Sequence, residues 1–275
     1  MKVKTLVRAT LRGTQFILLL TLGVLLVGLS RLLNGRHWHL TEQGQARIRW
    51  WTQQLTRIVG IRIIQYGRPV AAHVLFVSNH ISFLDTIVIT STVPARFLSK
   101  HSVRSWPVIG FLAQLTGSLF IKRGQRSQVA RTLDAIKQAL SQTRPVLIFP
   151  EGTTSLGQTV LKFHSGLFQA AIDAQVPVQA LSLYYCHRQQ PDRLAAYIDK
   201  DNFVFSLLRL MARPQTEVHL SFTPPIDCDK HTRQSLAAFC HARISQNLQY
   251  QLQHAQNLRP IDAIADFAIL GECER

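Results

Sequence analysis

Apolar residues gather along the chain in two ways. Near the start lies an uncharged run, Gly13 to Ser30, containing Phe16-Ile17-Leu18-Leu19-Leu20 and Val24-Leu25-Leu26-Val27. As a helix rising about 1.5 Å per residue it reaches roughly 27 Å, slightly short of the roughly 30 Å hydrocarbon core of a bilayer. It is read as a membrane segment, spanning with help from Leu32-Leu33 or inserted in one leaflet; a cleaved signal peptide is the competing reading. From Thr41 to Val59, Ile48, Trp51, Leu55 and Ile58 recur at helical spacing among Arg47, Arg49, Gln53, Gln54 and Arg57. That pattern suits an amphipathic helix at an interface, with Trp38, Trp50 and Trp51 at headgroup depth, or a helix packed on a soluble core.

Beyond Gly60 the pattern changes to short apolar runs alternating with helical stretches. Ile61 to Ile64, His73 to Val77, Arg96 to Ser99, Leu119 to Lys122, Val146 to Phe149, Val178 to Tyr184 and Glu217 to Phe222 read as strands. Gln125 to Thr143, with Val129, Leu133, Ile136, Ala139 and Leu140 at helical spacing, is the clearest helix, and Thr232 to Leu258 and Pro260 to Leu270 read as two more. The interleaving predicts an α/β domain with a largely parallel or mixed sheet, residues 61–275, preceded by N-terminal membrane-anchoring helices, residues 1–60.

Composition sharpens the first part. The formal net charge is +16, and residues 1–60 hold nine Lys and Arg against one acid, so half of the excess lies there. A basic N-terminus beside an apolar run points to an anionic lipid surface. A basic-aromatic nucleic-acid motif is absent outside this segment, so nucleic acid is not expected as a partner. The four cysteines, Cys186, Cys228, Cys240 and Cys273, form no C-x-x-C pair, and the histidines show no ligand spacing, so reduced thiols and no metal are expected.

Chemistry concentrates where one strand ends, in Val77-Ser78-Asn79-His80-Ile81-Ser82-Phe83-Leu84-Asp85. Five residues on a helix turn about 140° apart, so His80 and Asp85 meet only if His80 precedes the helix. Ser82 to Asp85 also matches a capping box with Ser82 at the N-cap. A histidine held by a carboxylate is suited to take a proton from a hydroxyl. No G-x-S-x-G elbow occurs, which disfavours a covalent acyl-serine.

Four stretches, in order, carry a resemblance. His80 and Asp85 in the spacing H-x-x-x-x-D, with Asn79 and Ser82 around them, then Gly117-Ser118-Leu119-Phe120-Ile121-Lys122-Arg123, then Phe149-Pro150-Glu151-Gly152-Thr153-Thr154-Ser155, then Val176-Pro177-Val178, look like the four motifs of the lysophospholipid acyltransferase family. The resemblance covers roughly residues 70 to 185. It implies a glycerolipid-acyltransferase-like domain and a membrane-bound enzyme that moves a fatty acyl group from acyl-coenzyme A or acyl carrier protein, as co-substrate, to a lysolipid hydroxyl; no cofactor is implied.

His80 would be the base and Asp85 its orienting partner. Asn79, Ser82, Gly117, Phe120, Lys122, Arg123, Glu151, Gly152, Thr153, Thr154 and Lys162 would bind substrate, with Arg123 at the acceptor headgroup. Free amides beyond Gly152 would receive an oxyanion. Most phosphate-using members of the family carry an arginine where this chain has Thr154. The stretch from Glu151 to Phe168 resembles a bacterial subgroup that includes acyltransferases for lyso-ornithine lipid as well as lysophosphatidate, and Lys162 could replace the missing charge. The resemblance places 1-acyl-sn-glycerol-3-phosphate first and lyso-ornithine lipid second as acceptor. The expected location is the inner membrane with the site facing the cytoplasm, where acyl thioesters are made. A basic membrane adaptor without chemistry is the reading of another class.

Overall fold

The computed structural model describes residues 3–254 apart from 36, 72, 107–108, 122–125, 143 and 199–200. Lys122, Arg123 and the helix expected over Pro260 to Leu270 lie outside the described residues.

Helix α1 (Val3–Asn34) extends the uncharged run at both ends. A 3₁₀ turn, Trp38–Leu40, leads to α2 (Glu42–Val59), which Thr41 caps by accepting the Gly44 N–H at 3.1 Å. Leu19, Gly23, Val27 and Ser30 form the buried face of α1, as their helical spacing requires. The Trp51 indole donates to the Leu19 carbonyl at 3.0 Å, and Arg47 donates to Ser30 Oγ at 2.9 Å. Further back, Arg12 donates to the carbonyls of Arg213 at 2.6 Å and Pro214 at 2.9 Å, and Arg8 to that of Ala212 at 3.2 Å. Contacts therefore run from Arg8 to Ser30, and α1 lies along the domain.

Of the two readings of α2, packing accounts for its inner face: Ile48, Leu55 and Val59 are buried. The expectation of three tryptophans at headgroup depth is corrected in the same way. Trp38 is buried and Trp51 half-buried because α1 covers them, and Trp50 alone of the three is exposed.

The strands and helices that follow are β1 (Ile61–Tyr66), β2 (Leu75–Ser78), α3 (Leu84–Thr92), β3 (Arg96–Lys100), α4 (Ile109–Leu115), β4 (Leu119–Ile121), α5 (Arg126–Ser141), β5 (Val146–Ile148), α6 (Gln169–Ala174), β6 (Val178–His187), β7 (Gln190–Pro191), α7 (Phe203–Ala212), β8 (Thr216–Phe222) and α8 (Arg233–His254). They build one mixed sheet in the order β1-β8-β6-β2-β5-β3-β4, with β7 paired to β6. From β6 to β4 all neighbours are parallel; β8 runs antiparallel to β6, and β1 follows β8.

Every residue of β2 is buried, as a strand covered on both faces should be. Its alternation divides the core. Val74 and Phe76 face one side with α3 and α7, while Leu75 and Val77 face the other with α5, α6 and α8. This double cover leaves the carboxyl ends of the parallel strands as the edge where loops can gather around a ligand.

Candidate active site

At that edge β2 ends and the chain turns through Asn79–Phe83 into α3. Asn79 is buried, and its amide donates to the Leu183 carbonyl at 2.9 Å while accepting the Leu183 N–H at 2.8 Å. A side chain thus extends the β2–β6 ladder by one step, and His80 leaves from a fixed point. Since His80 precedes α3, the 140° separation does not apply, and its Nδ1–H donates to Asp85 Oδ2 at 2.8 Å.

Asp85, with no exposed surface, also accepts the N–H groups of Ile81 at 2.7 Å and Ser82 at 3.0 Å on Oδ2, and the Tyr185 hydroxyl at 2.9 Å on Oδ1. The expected cap by Ser82 is overturned. Helix α3 starts at Leu84 behind Phe83 with no side-chain cap, and Ser82 Oγ is buried without a hydrogen-bond partner among the described residues. Asp85 instead reaches back to the amides before the helix, so the carboxylate organises the turn.

The His80 ring stacks on Phe149 with centroids 4.0 Å apart and planes 13° from parallel. With Nδ1–H given to the carboxylate, Nε2 keeps its lone pair. The backbone of His80 is held as tightly as its ring. Glu151 Oε1 accepts the His80 N–H at 2.9 Å, and the Ser155 N–H donates to the His80 carbonyl at 2.9 Å. Glu151 Oε2 accepts the Leu161 N–H at 3.3 Å. Burial pushes the Glu151 carboxyl up to about 7; the amides of His80 and Leu161 pull it down, and the nearby Asp85 charge adds to the rise.

Gly152 has φ 71, and a Cβ there would come 3.4 Å from the His164 ring, so the turn after β5 depends on glycine. Its own N–H donates to the Phe149 carbonyl at 3.1 Å. Among the described residues, the amides of Glu151, Thr153 and Thr154 in this turn donate to no protein acceptor. Thr153 is exposed, Thr154 half-buried, and Lys162 exposed one residue beyond Leu161.

The described part of the second motif, residues 117–121, lies elsewhere. β4 is three strands from β2. Registers running Leu75 to Val146, Val146 to Arg96 and Leu98 to Leu119 put Gly117 level with Leu75, five residues below His80. The Gly117 carbonyl accepts Arg96 Nε–H at 2.8 Å, so Gly117, two residues before β4, stands at the far edge of the sheet and is not brought to His80. Phe120 is half-buried and lines, with Arg31, Arg104, Phe111, Gln114 and Ser118, an open cavity of about 420 Å³.

Three contributors were not read from sequence: Tyr185, one residue past the expected end of its strand; Phe149, the platform for the ring; and the Leu161 amide. A tyrosine on the α3 side of β6 was the one available signal, since a buried phenol needs a partner. On the opposite face, beneath α8, Cys186 Sγ lies 3.5 Å from His219 Nε2 and Tyr66 Oη 3.0 Å from His219 Nδ1. Glu217 brings a third metal-ligating group near them but is paired with Arg62 at 3.1 Å. The cysteines Cys186, Cys228 and Cys240 are free and buried, and burial raises each thiol.

An imidazole oriented by a buried carboxylate, with its backbone locked on both sides and Ser82 turned into the core, is an arrangement able to activate a hydroxyl for direct group transfer. The sequence profile of the Acyltransferase family matches residues 60–184. A lyso-ornithine lipid O-acyltransferase of Pseudomonas aeruginosa is 34% identical over 234 residues, 84% of this chain and 89% of that protein. A 1-acyl-sn-glycerol-3-phosphate acyltransferase of Neisseria gonorrhoeae is 38% identical over 125 residues, 44% of this chain and 49% of that protein. The fold is shared with the 1-acyl-sn-glycerophosphate (LPA) acyltransferase PlsC of Thermotoga maritima, at a TM-score of 0.66 and 17% identity, covering 90% of this chain and 96% of that one. The chain belongs to the acyltransferase family, as an enzyme acting on lysolipids.

Proposed function

We propose that the protein transfers a fatty acyl group from a thioester to the hydroxyl of lyso-ornithine lipid, with His80 as base. The observation that carries the mechanism is the 2.8 Å contact of His80 Nδ1 with Asp85, made while Glu151 and Ser155 fix the His80 backbone. His80 Nε2 removes the acceptor proton as the oxygen attacks the thioester carbon. Charge then develops on the former carbonyl oxygen, to which the amides of Thr153 and Thr154 donate. The C–S bond breaks, and the thiolate takes the proton from the imidazolium.

The acceptor is favoured by the likeness over nearly the whole length of the Pseudomonas enzyme and by Thr154, where most phosphate-using members of the resembling family carry arginine. A second reading, 1-acyl-sn-glycerol-3-phosphate, is supported by the higher identity of the Neisseria enzyme over its 125 matched residues, with Lys162 supplying a cation beside the Glu151 turn. The donor is acyl-coenzyme A or acyl carrier protein, both acidic and suited to a chain of net charge +16. Helix α1 holds the enzyme on one leaflet of the inner membrane, with the site on the cytoplasmic side, because its length is taken up against the domain.

Acyl transfer by detergent-solubilised protein from each donor to each acceptor, with His80→Ala in parallel, tests this. Transfer to lyso-ornithine lipid is expected, reduced about 10³-fold in the variant with membrane sedimentation unchanged. Undiminished turnover in His80→Ala would remove the histidine as base, and transfer to the phosphate acceptor alone would select the second reading.

A further inference from the structure

Helix α7 presents two faces. Ser206, Leu207, Leu210 and Met211 are buried against the domain, whereas Val204, Phe205 and Leu208 point outward, with Phe205 73% exposed. Residues at i, i+1 and i+4 share one side of a helix. Their neighbour is α1, which packs along α7: Arg8 and Arg12 bind its C-terminal carbonyls, and Phe16 joins the core cluster that contains Leu207, Leu210 and Met211. The outward residues of α1 that follow, Ile17, Leu18, Leu22 and Leu25, are exposed as well. Together the two helices make an apolar surface larger than scattered side chains account for.

The charges on these helices have one sign. No carboxylate occurs in α1, α4, α7 or the segment His101–Ser105, while Lys4, Arg8, Arg12, Arg31, Arg104 and Arg209 do. Asp201, just before α7, is taken up by the Ile198 N–H at 3.2 Å, and an apolar face whose own helices carry cations alone complements an anionic leaflet. A link to the site completes the picture: the Phe203 ring, at the start of α7, lies 4.7 Å from that of Phe83 and 5.5 Å from that of Trp106. Phe83 stands in the turn between His80 and Asp85.

We propose that α7 is a second membrane-inserted element, with Val204, Phe205 and Leu208 among the acyl chains of an anionic leaflet, so that a lysolipid reaches His80 sideways past Phe203 and Phe83. This rests on the reading of α1 as a membrane element and adds to it the surface through which the acceptor arrives. Continuity with α1 selects lipid as the occupant.

The test uses full-length protein and vesicles of phosphatidylglycerol and phosphatidylethanolamine carrying lyso-ornithine lipid. The double variant Phe205→Glu/Leu208→Glu should still float with vesicles through α1. Its transfer to the vesicle-borne acceptor should fall at least about tenfold, the equivalent of one apolar side chain kept out of the bilayer, while transfer to the same acceptor in detergent micelles stays within about twofold. In Phe205→Trp, the added indole emission should be quenched by lipids brominated on their chains. Equal losses in vesicles and micelles would assign α7 to folding, and no loss in either would leave its face idle; both overturn the proposal. So would an added emission that stays unquenched in Phe205→Trp protein that floats, and shielding from lipid together with a doubled mass would put a second copy of the chain on this face instead. Wild-type protein that fails to float would overturn the anchor itself.

Discussion

Tyr185 connects the site to the middle of the sheet. Its buried hydroxyl donates to Asp85 Oδ1, and its own ionisation is pushed well above the usual range by burial and by the Asp85 charge. The carboxylate that orients His80 is thus itself oriented from β6. Tyr185→Phe keeps the packing and removes one donor. It should lower kcat about tenfold, one hydrogen bond in free energy, and leave KM unchanged. An unchanged kcat would reduce Tyr185 to packing. Glu151 makes a pH prediction of its own. Its folded pKa, about 7, lies above the ordinary 4.5, so its contribution to stability is complete below about 4.5 and is lost as pH rises through about 7. Glu151→Gln removes that slope, and thermal denaturation between these pH values should show the variant gaining on wild type as pH rises; parallel curves would contradict the raised pKa. His80 and Asp85 were legible because two polar residues directly after a buried strand need an explanation. The use made of Asp85 was not: a capping-box pattern says that a turn is satisfied, and not whether the serine or the carboxylate satisfies it.

Among the elements, strands were the easiest to read, because a sheet covered on both faces demands short apolar runs between turn residues. The expected spans differ from β1, β2, β3, β5 and β8 by a residue or two at their ends. β6 continues to His187, and that extension is what brings Tyr185 to the site. Helix α7 was not anticipated, since its sequence is apolar on both sides and a helical period shows only where polar residues interrupt it. The seam between α1 and α2 was hidden for another reason: the contact lies between two elements, whereas periodicity describes one. At Gly23 a Cβ would fall 2.6 to 2.9 Å from the Trp51 indole, whereas at Gly28 nothing lies within 4 Å. Gly23→Val should destabilise by about 1–3 kcal/mol through overpacking, read as thermal unfolding in detergent, and Gly28→Val should change little. Comparable shifts in both would deny the seam its tight packing.

At the scale of the molecule, Arg144 ties the parts together. It is 1% exposed and donates to the carbonyls of Pro94 at 2.9 Å and of His39 and Thr116 at 3.1 Å, joining the turn before α2, the loop before β3 and the end of α4. Burial, with the Arg96 charge second, lowers its pKa to about 9. Arg144→Met fills the same space and strands three carbonyls. A loss of about 2–5 kcal/mol is expected, measured by denaturant titration, with His80-dependent transfer retained below the melting transition; unchanged stability would show that water replaces the guanidinium freely. The same long reach has a consequence for the order in which the protein is made. Arg8 and Arg12 emerge from the ribosome early, yet their carbonyl partners, Met211 to Pro214, follow some 200 residues later, as does β8, the only strand paired with β1 among the described residues. Contacts so distant in sequence form late and slowly. Throughout synthesis α1 must therefore keep its apolar surface covered by something other than its own domain, and a leaflet that receives it first would act as the template on which the rest of the chain closes.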